Sequence, residues 1–239
     1  MTARRAQVAA GLAAVRERIA VACEGSGRSP DEVTLVVVTK YFPASDVRLL
    51  ADLGVTDVGE NRHQEAEAKQ QECADLQAPG GPGLRWHFVG GLQSNKAAAV
   101  AAYADVVHSV DRKKLVGRLD SGAQGRAHPV DALLQVSLDP PDRPGRAGAD
   151  PAELSALAAA VEAAGALRLR GLMAVAPLGE DPAAAFARLS DVRRDFLVDH
   201  PAADWLSAGM SGDLEAAIQA GATHVRVGTA VLGSRPSVQ

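Results

Sequence analysis

The residues best equipped for chemistry stand at the ends of short apolar runs. In VTLVVVTKYFP (33–43) a β-branched run ends on a single amine, Lys40. Such a lysine either reaches for water or acts as a nucleophile toward a carbonyl. In LSAGMSGDLEAAI (206–218), Gly209, Met210, Ser211 and Gly212 precede a helical pattern. Free backbone N–H groups and the helix dipole favour an anion at such a turn, although Ser211 also reads as an ordinary helix N-cap. In VRVGTAVLG (225–233), Gly228 and Thr229 follow another β-branched run. Arg226 lies inside that run, where a buried ion pair is the plainer reading.

These positions need a frame to bring them together. Strands are expected at Val33–Thr39, Asp57–Gly59, Trp86–Val89, Val106–Val110, Val130–Ser137, Leu169–Val175, Trp205–Ser207 and His224–Val227. Helical patterns lie between them at 44–53, 62–77, 94–103, 112–120, 151–164, 182–198 and 211–220, with glycines after several, as in Leu53-Gly54 and Ala220-Gly221. An extra N-terminal helix is read from Val8, Leu12, Val15 and Ile19 on one face. Strands alternating with helices over 239 residues point to a single α/β domain spanning 1–239, a (β/α)8 TIM barrel. An open doubly wound sheet would place a glycine-rich turn after the first strand, and Lys40-Tyr41-Phe42-Pro43 is not one. Leu138–Asp150, rich in Pro, Gly and Arg, reads as a mobile loop after the fifth strand.

Barrel chemistry sits where the strands end. Those ends carry Lys40, Glu60, Asn61, Gly90-Gly91, Gln93 to Asn95, Ser109, Asp111, Met173, Ser207 to Ser211, and Gly228-Thr229. Barrels often bind a phosphate with the loops after strands seven and eight, and closure sets the first strand beside the eighth. An amine next to a phosphate cradle suits a phosphorylated aldehyde, and pyridoxal 5′-phosphate (PLP) fits both halves.

Composition excludes other classes. The net charge of -4 and the 3% aromatic content supply neither a basic track nor stacking platforms, so no nucleic-acid partner is expected. The N-terminal apolar stretch is broken by Arg16, Glu17 and Arg18, unlike a signal peptide. No segment reaches the length of a membrane span, so no membrane partner is expected. Cys23 and Cys73 form no CxxC and read as reduced, structural thiols, which makes a cytoplasmic location the expectation. The six histidines show no metal-ligand spacing, and His63 with Glu67 on one helix face is too few for a site.

The segments VVVTKYFP, DVGENRHQEAEAK, WHFVGGLQSNK, RGLMAVAP, LSAGMSGDLEAAIQAGATHVRVGTAVLG and the closing Arg235 together resemble the YggS/PROSC family of PLP homeostasis proteins. That family is related to the N-terminal barrel of alanine racemase, a fold-type III PLP barrel. The resemblance covers nearly the whole chain. It implies that Lys40 carries PLP covalently as a Schiff base and that Asn61 lies near the ring. Ser211, Gly228 and Thr229 would hold the phosphate, Gly209 and Met210 would shape its loop, and Ser207 is similar to a family serine in the same pocket. Arg226 would face the pyridine nitrogen. Two departures stand out: Gly91 replaces the usual histidine before LQSNK, and Arg146–Pro151 replaces a K-S-G-x-x-P segment.

An alanine-type racemase also needs a second base, a tyrosine from a separate β domain. The sequence has only Tyr41 and Tyr103. Tyr41 on a continuing strand would point away from Lys40, and Tyr103 falls in a helical pattern. The expected role is therefore a non-catalytic, monomeric PLP carrier that buffers the cofactor or delivers it to PLP-dependent apo-enzymes. The alternatives are a small PLP-dependent amino acid racemase and a barrel enzyme acting on another phosphorylated carbonyl compound.

Overall fold

Short valine- and leucine-rich runs form eight parallel strands that close into a barrel in sequence order. The computed structural model describes residues 3–76, 83–140 and 148–234. The strands are β1 (Thr34–Val38), β2 (Asp57–Glu60), β3 (Arg85–Phe88), β4 (Val106–Val110), β5 (Val130–Gln135), β6 (Leu167–Met173), β7 (Trp205–Ser207) and β8 (His224–Val227). The helices are α1 (Ala3–Gly25), α2 (Ala44–Asp52), α3 (His63–Glu72), α4 (Ala97–Tyr103), α5 (Lys113–Ala123), α6 (Leu154–Glu162), α7 (Pro182–Asp199), α8 (Leu214–Gln219) and α9 (Thr229–Leu232). Closure pairs β1 with β8 in four successive steps, from Thr34 with His224 to Val37 with Val227. By contrast, β7 meets β8 at a single pair, Ser207 with His224.

Helices cover the barrel because each buries one apolar stripe against the strands. The expected stripe of α1 is buried at Val8, Leu12, Val15 and Ile19. It docks outside the β1–β8 seam, where Gly11 lies against α9; a Cβ there would come 2.5 Å from the Val231 carbonyl oxygen. Arg4 pairs with Asp46 of α2, and Arg18 pairs with Glu215 of α8 at 2.6 Å. Gly54 and Gly221 stop their helices at φ +78° and +91°, a region glycine enters without a steric penalty. Cys23 and Cys73 are buried free thiols. Among the described residues, no helix is long and apolar enough to cross a membrane.

The barrel interior is unusual. Aliphatic side chains normally fill such interiors, and Val106, Leu133 and Met173 do form one apolar cluster. A hydrogen bond also runs between β4 and β7, which are not neighbours, so buried His108 and Ser207 point inward, together with His87, His224 and Arg226.

Several boundaries differ from the sequence expectation. β6 begins two residues early and ends two early, because Arg168 and Arg170 pair with Asp131 of β5 while their backbone stays in the ladder. β5 ends at Gln135, and Val136 makes only an isolated bridge to Ala149. α3 stops at Glu72, followed by a short 3-10 turn, Ala74–Leu76. α8 starts at Leu214, with Asp213 rather than Ser211 as its N-cap residue. Most of the loop expected at Leu138–Asp150, including Arg146, lies outside the described residues, as do Arg235 and residue 77 of the expected helix 62–77.

Candidate functional site

A cavity of about 380 Å³ opens at the C-terminal end of the barrel, over β1, β2 and β8. Its lining includes Lys40, Asn61, Met210, Ser211, Arg226, Gly228 and Thr229, seven of the nine residues singled out from the sequence. The other two lie behind the wall. Ser207 is fully buried and accepts a hydrogen bond from Arg226 Nη1 at 2.6 Å. Gly209 has φ +88°, and a Cβ there would meet the Ala217 side chain at 2.7 Å. Its carbonyl accepts the Arg226 backbone N–H at 2.9 Å, so Gly209 ties the Ser211 loop to β8.

Lys40 sits two residues past β1, half-buried. Among the described residues no acceptor or carboxylate holds its Nζ, and the nearest aromatic neighbour is the Tyr41 ring, 6.0 Å away. Its flanking peptides are held firmly. Lys69 of α3 donates from one buried Nζ to Thr39 O, Glu60 Oε1 and Glu65 Oε1, each at 2.7 Å. Glu65 in turn accepts the Tyr41 backbone N–H at 2.5 Å. Burial lifts the Glu60 carboxyl above its ordinary range, against the pull of Lys69. An ion triad, buried at Glu60 and Lys69 and part-exposed at Glu65, thus clamps the backbone on both sides of an amine that is itself unpaired among the described residues.

Tyr41 departs from expectation. The strand ends at Val38, and Tyr41 takes a left-handed φ of 70°, a strained conformation for a non-glycine residue. The turn swings its side chain into the cavity lining, between Lys40 and Arg62, whose guanidinium stacks 4.8 Å from the ring. Alternation along a strand does not apply once the strand has ended.

The remaining walls follow from close packing. Gly90 lets the end of β3 press against Asn61, since a Cβ would meet the Asn61 backbone oxygen at 2.6 Å. Among the described residues, Asn61 Oδ1 is buried without a hydrogen-bond partner. Arg226 donates to Ser207 and, from Nη2, to the Ala174 carbonyl at 3.0 Å. Burial lowers its pKa to about 10, which Asp213 partly opposes, and it stays cationic at neutral pH. The Ser211 turn is braced from outside by Arg18, which donates to Ser211 O at 3.0 Å. At Gly91, where the resembled family carries a histidine, a Cβ would meet nothing within 4 Å. That position lines a second, smaller cavity beside the first.

Sequence reasoning did not find Glu65 and Lys69, whose i,i+4 spacing on α3 was the available signal. His87 and His108 were noted only as lacking metal spacing. Among the described residues no group of three His, Cys, Asp or Glu is placed to hold a metal.

Residues 11–236 match the alanine racemase N-terminal domain family. A relative from Mycobacterium bovis named pyridoxal phosphate homeostasis protein is 42% identical, covering 97% of this chain and 94% of its own. The protein of the same name from Escherichia coli is 41% identical, covering 95% of this chain and 97% of its own. The structure of PipY from Synechococcus elongatus, solved with PLP bound, superposes with a TM-score of 0.80 at 38% identity, covering 95% of this chain and 100% of that one. Alanine racemase from Clostridium difficile shares the fold, with a TM-score of 0.69 at 12% identity, and this chain spans 57% of its length.

Proposed function

This chain belongs to the alanine racemase N-terminal domain family and, within it, to the pyridoxal phosphate homeostasis proteins, and we propose that it holds PLP on Lys40 and buffers it or hands it to PLP-dependent apo-enzymes. One observation carries the covalent part. Two lysines approach the end of β1; Lys69 has three acceptors, whereas Lys40 has none among the described residues and opens on the cavity.

The donor set fits the cofactor. The cavity joins a free amine to the Ser211 and Thr229 hydroxyls and to backbone at Gly212 and Gly228, a combination suited to an aldehyde and a phosphate on one small molecule. Its volume lies within the range of small-molecule sites. The unpartnered Asn61 Oδ1 is a free acceptor on the same wall. When bound, PLP supplies an aldehyde that a primary amine takes up and releases.

The residues have separate tasks in this reading. Lys40 tethers, while Ser211, Gly228 and Thr229 hold the phosphate. Met210 and Gly209 set the shape of the phosphate loop, Ser207 backs Arg226, and Asn61 flanks the ring. Arg226 donates toward the ring nitrogen and leaves it unprotonated, because a guanidinium does not readily give up its proton. A neutral ring is a weaker electron sink than the protonated ring an acidic partner favours. That favours holding the cofactor over turning amino acids over.

Borohydride reduction of the PLP-loaded protein followed by peptide mapping tests the tether. The pyridoxyl group is expected on Lys40, and Lys40→Ala should lose both the label and the visible absorbance. Label mainly on Lys96 or Lys113 would refute the assignment. A weak racemase is the second reading, favoured by the Tyr41 ring in the cavity. Catalytic turnover of either enantiomer of an amino acid, lost in Tyr41→Phe, would establish it.

A further inference from the structure

The barrel interior contains a hydrogen-bond chain that the cofactor-holding reading leaves unused. Asp57 Oδ1, at the start of β2, lies 2.8 Å from His87 Nε2 on β3. His87 Nδ1 lies 2.8 Å from His108 Nε2 on β4. His108 Nδ1 lies 2.9 Å from Ser207 Oγ on β7, and Ser207 Oγ accepts from Arg226 Nη1 at 2.6 Å. All five side chains are buried. The chain runs from the far end of the barrel to the cavity wall.

Both ends have only one possible role. A guanidinium only donates and an ionised carboxylate only accepts. Ser207 Oγ accepts from Arg226, and with both imidazoles neutral it spends its own hydrogen on His108 Nδ1. At the other end His87 Nε2 carries a hydrogen for Asp57. Two neutral imidazoles complete the line if His108 Nε2–H donates to His87 Nδ1. No donor faces a donor, and no hydrogen is left over.

A charged imidazole breaks this count. With His87 doubly protonated, each bond up to Ser207 reverses, and the Ser207 hydrogen loses its acceptor within the chain. Burial independently holds His108 neutral, pushing its pKa well below the ordinary range. Burial alone would raise the Asp57 carboxyl, but the His87 and Thr56 hydrogen bonds and nearby Arg85 outweigh it and keep the carboxylate ionised. Among the described residues Arg226 forms no ion pair with any carboxylate; Asp213 acts on it through space, and Asp57 is the anion this line of bonds connects to it.

We propose that Asp57, His87, His108 and Ser207 are positioning residues for Arg226. Asp57 acts as its remote counter-charge, both histidines stay in the Nε2–H form, and a Ser207 lone pair is held toward the guanidinium. The consequence for the cofactor, a fixed donor at the ring nitrogen, rests on the PLP reading; the proton arrangement does not.

Long-range ¹H–¹⁵N NMR of the full chain with ¹⁵N-labelled histidine, without added PLP and at neutral pH, tests the arrangement directly. Both His87 and His108 are expected as neutral Nε2–H forms; an Nδ1–H form or an imidazolium at either position overturns the proposal. His87→Phe removes a link that does not touch Arg226. Its Arg226 guanidinium signals should shift, with side-chain exchange faster by about fivefold, the equivalent of one net hydrogen bond. Unchanged Arg226 signals in the folded variant overturn the proposal, and if the variant does not fold the wild-type histidine forms still decide. On adding PLP, the visible band should move in His87→Phe relative to the parent chain, and an identical band refutes the link to the cofactor. A parent chain that gains no visible band refutes the PLP reading instead, leaving the histidine result to be judged alone.

Discussion

Lys40 and Lys69 show how environment divides one residue type into two roles. Lys69 is surrounded by acceptors and is structural; Lys40 has none among the described residues, which in the proposed reading keeps its amine for chemistry. At this scale the candidate site was legible as a gathering of residues whose types name their chemistry: Lys40, Asn61, Met210, Ser211, Arg226, Gly228 and Thr229 line one cavity. Ser207 and Gly209 act through Arg226 and the backbone, a distinction that type and spacing do not carry. The buried histidines make acid stability a test of the interior. Burial lowers the His224 pKa to about 3 and holds that of His108 well below its ordinary value. Unfolding frees both to bind protons near the ordinary histidine pKa of about 6.5. The unfolded state therefore binds more protons between about pH 6.5 and 3, and stability falls as pH drops through that window, by up to about 1.4 kcal/mol per pH unit for each histidine. Urea unfolding from pH 7 to 4 checks this; a flat profile would mean the rings are solvated.

Helix α3 behaves as a bracket for the tether turn. It carries Glu65 and Lys69 one turn apart, and with Glu60 from β2 they hold the peptides on both sides of Lys40. Removing one partner of a buried ion pair strands the other charge. Lys69→Met is therefore expected to cost about 3–5 kcal/mol in urea unfolding, and adding Glu60→Gln should recover a substantial part of the loss. A loss below about 1 kcal/mol would show that the triad is effectively solvated. The element types followed from periodicity, but their ends did not. α8 starts three residues later than its pattern, because Asp213 Oδ1 accepts the Met210 backbone N–H at 2.6 Å and holds the preceding residues in a turn. Tyr41 was misjudged for the same reason, since the strand ends before it.

The barrel itself was legible because eight short β-branched runs alternate with helices and few folds accept that order. The polar interior was legible only at Arg226, read as buried from its place in a β-branched run, because inward histidines resemble surface residues in a sequence. Outside the barrel, α1 joins the site to the molecular surface through Arg18, which pairs with Glu215 and holds the Ser211 carbonyl. The pair is partly exposed, so Arg18→Ala should change global stability by less than about 1 kcal/mol. PLP retention in equilibrium dialysis should fall by about fivefold, as for the loss of one hydrogen bond bracing the loop. Unaltered retention would separate α1 from the site. The β1–β8 seam carries one more consequence. Lys40 leaves the ribosome with the first strand, while Arg226, Gly228 and Thr229 emerge with the last. At about 5–20 residues per second, the amine waits roughly 10–40 s before its pocket exists. During synthesis it is an ordinary lysine to any free aldehyde in the cell. In the proposed reading, selective uptake of the cofactor is therefore the last event in this protein's biogenesis, and barrel closure is the step that starts it.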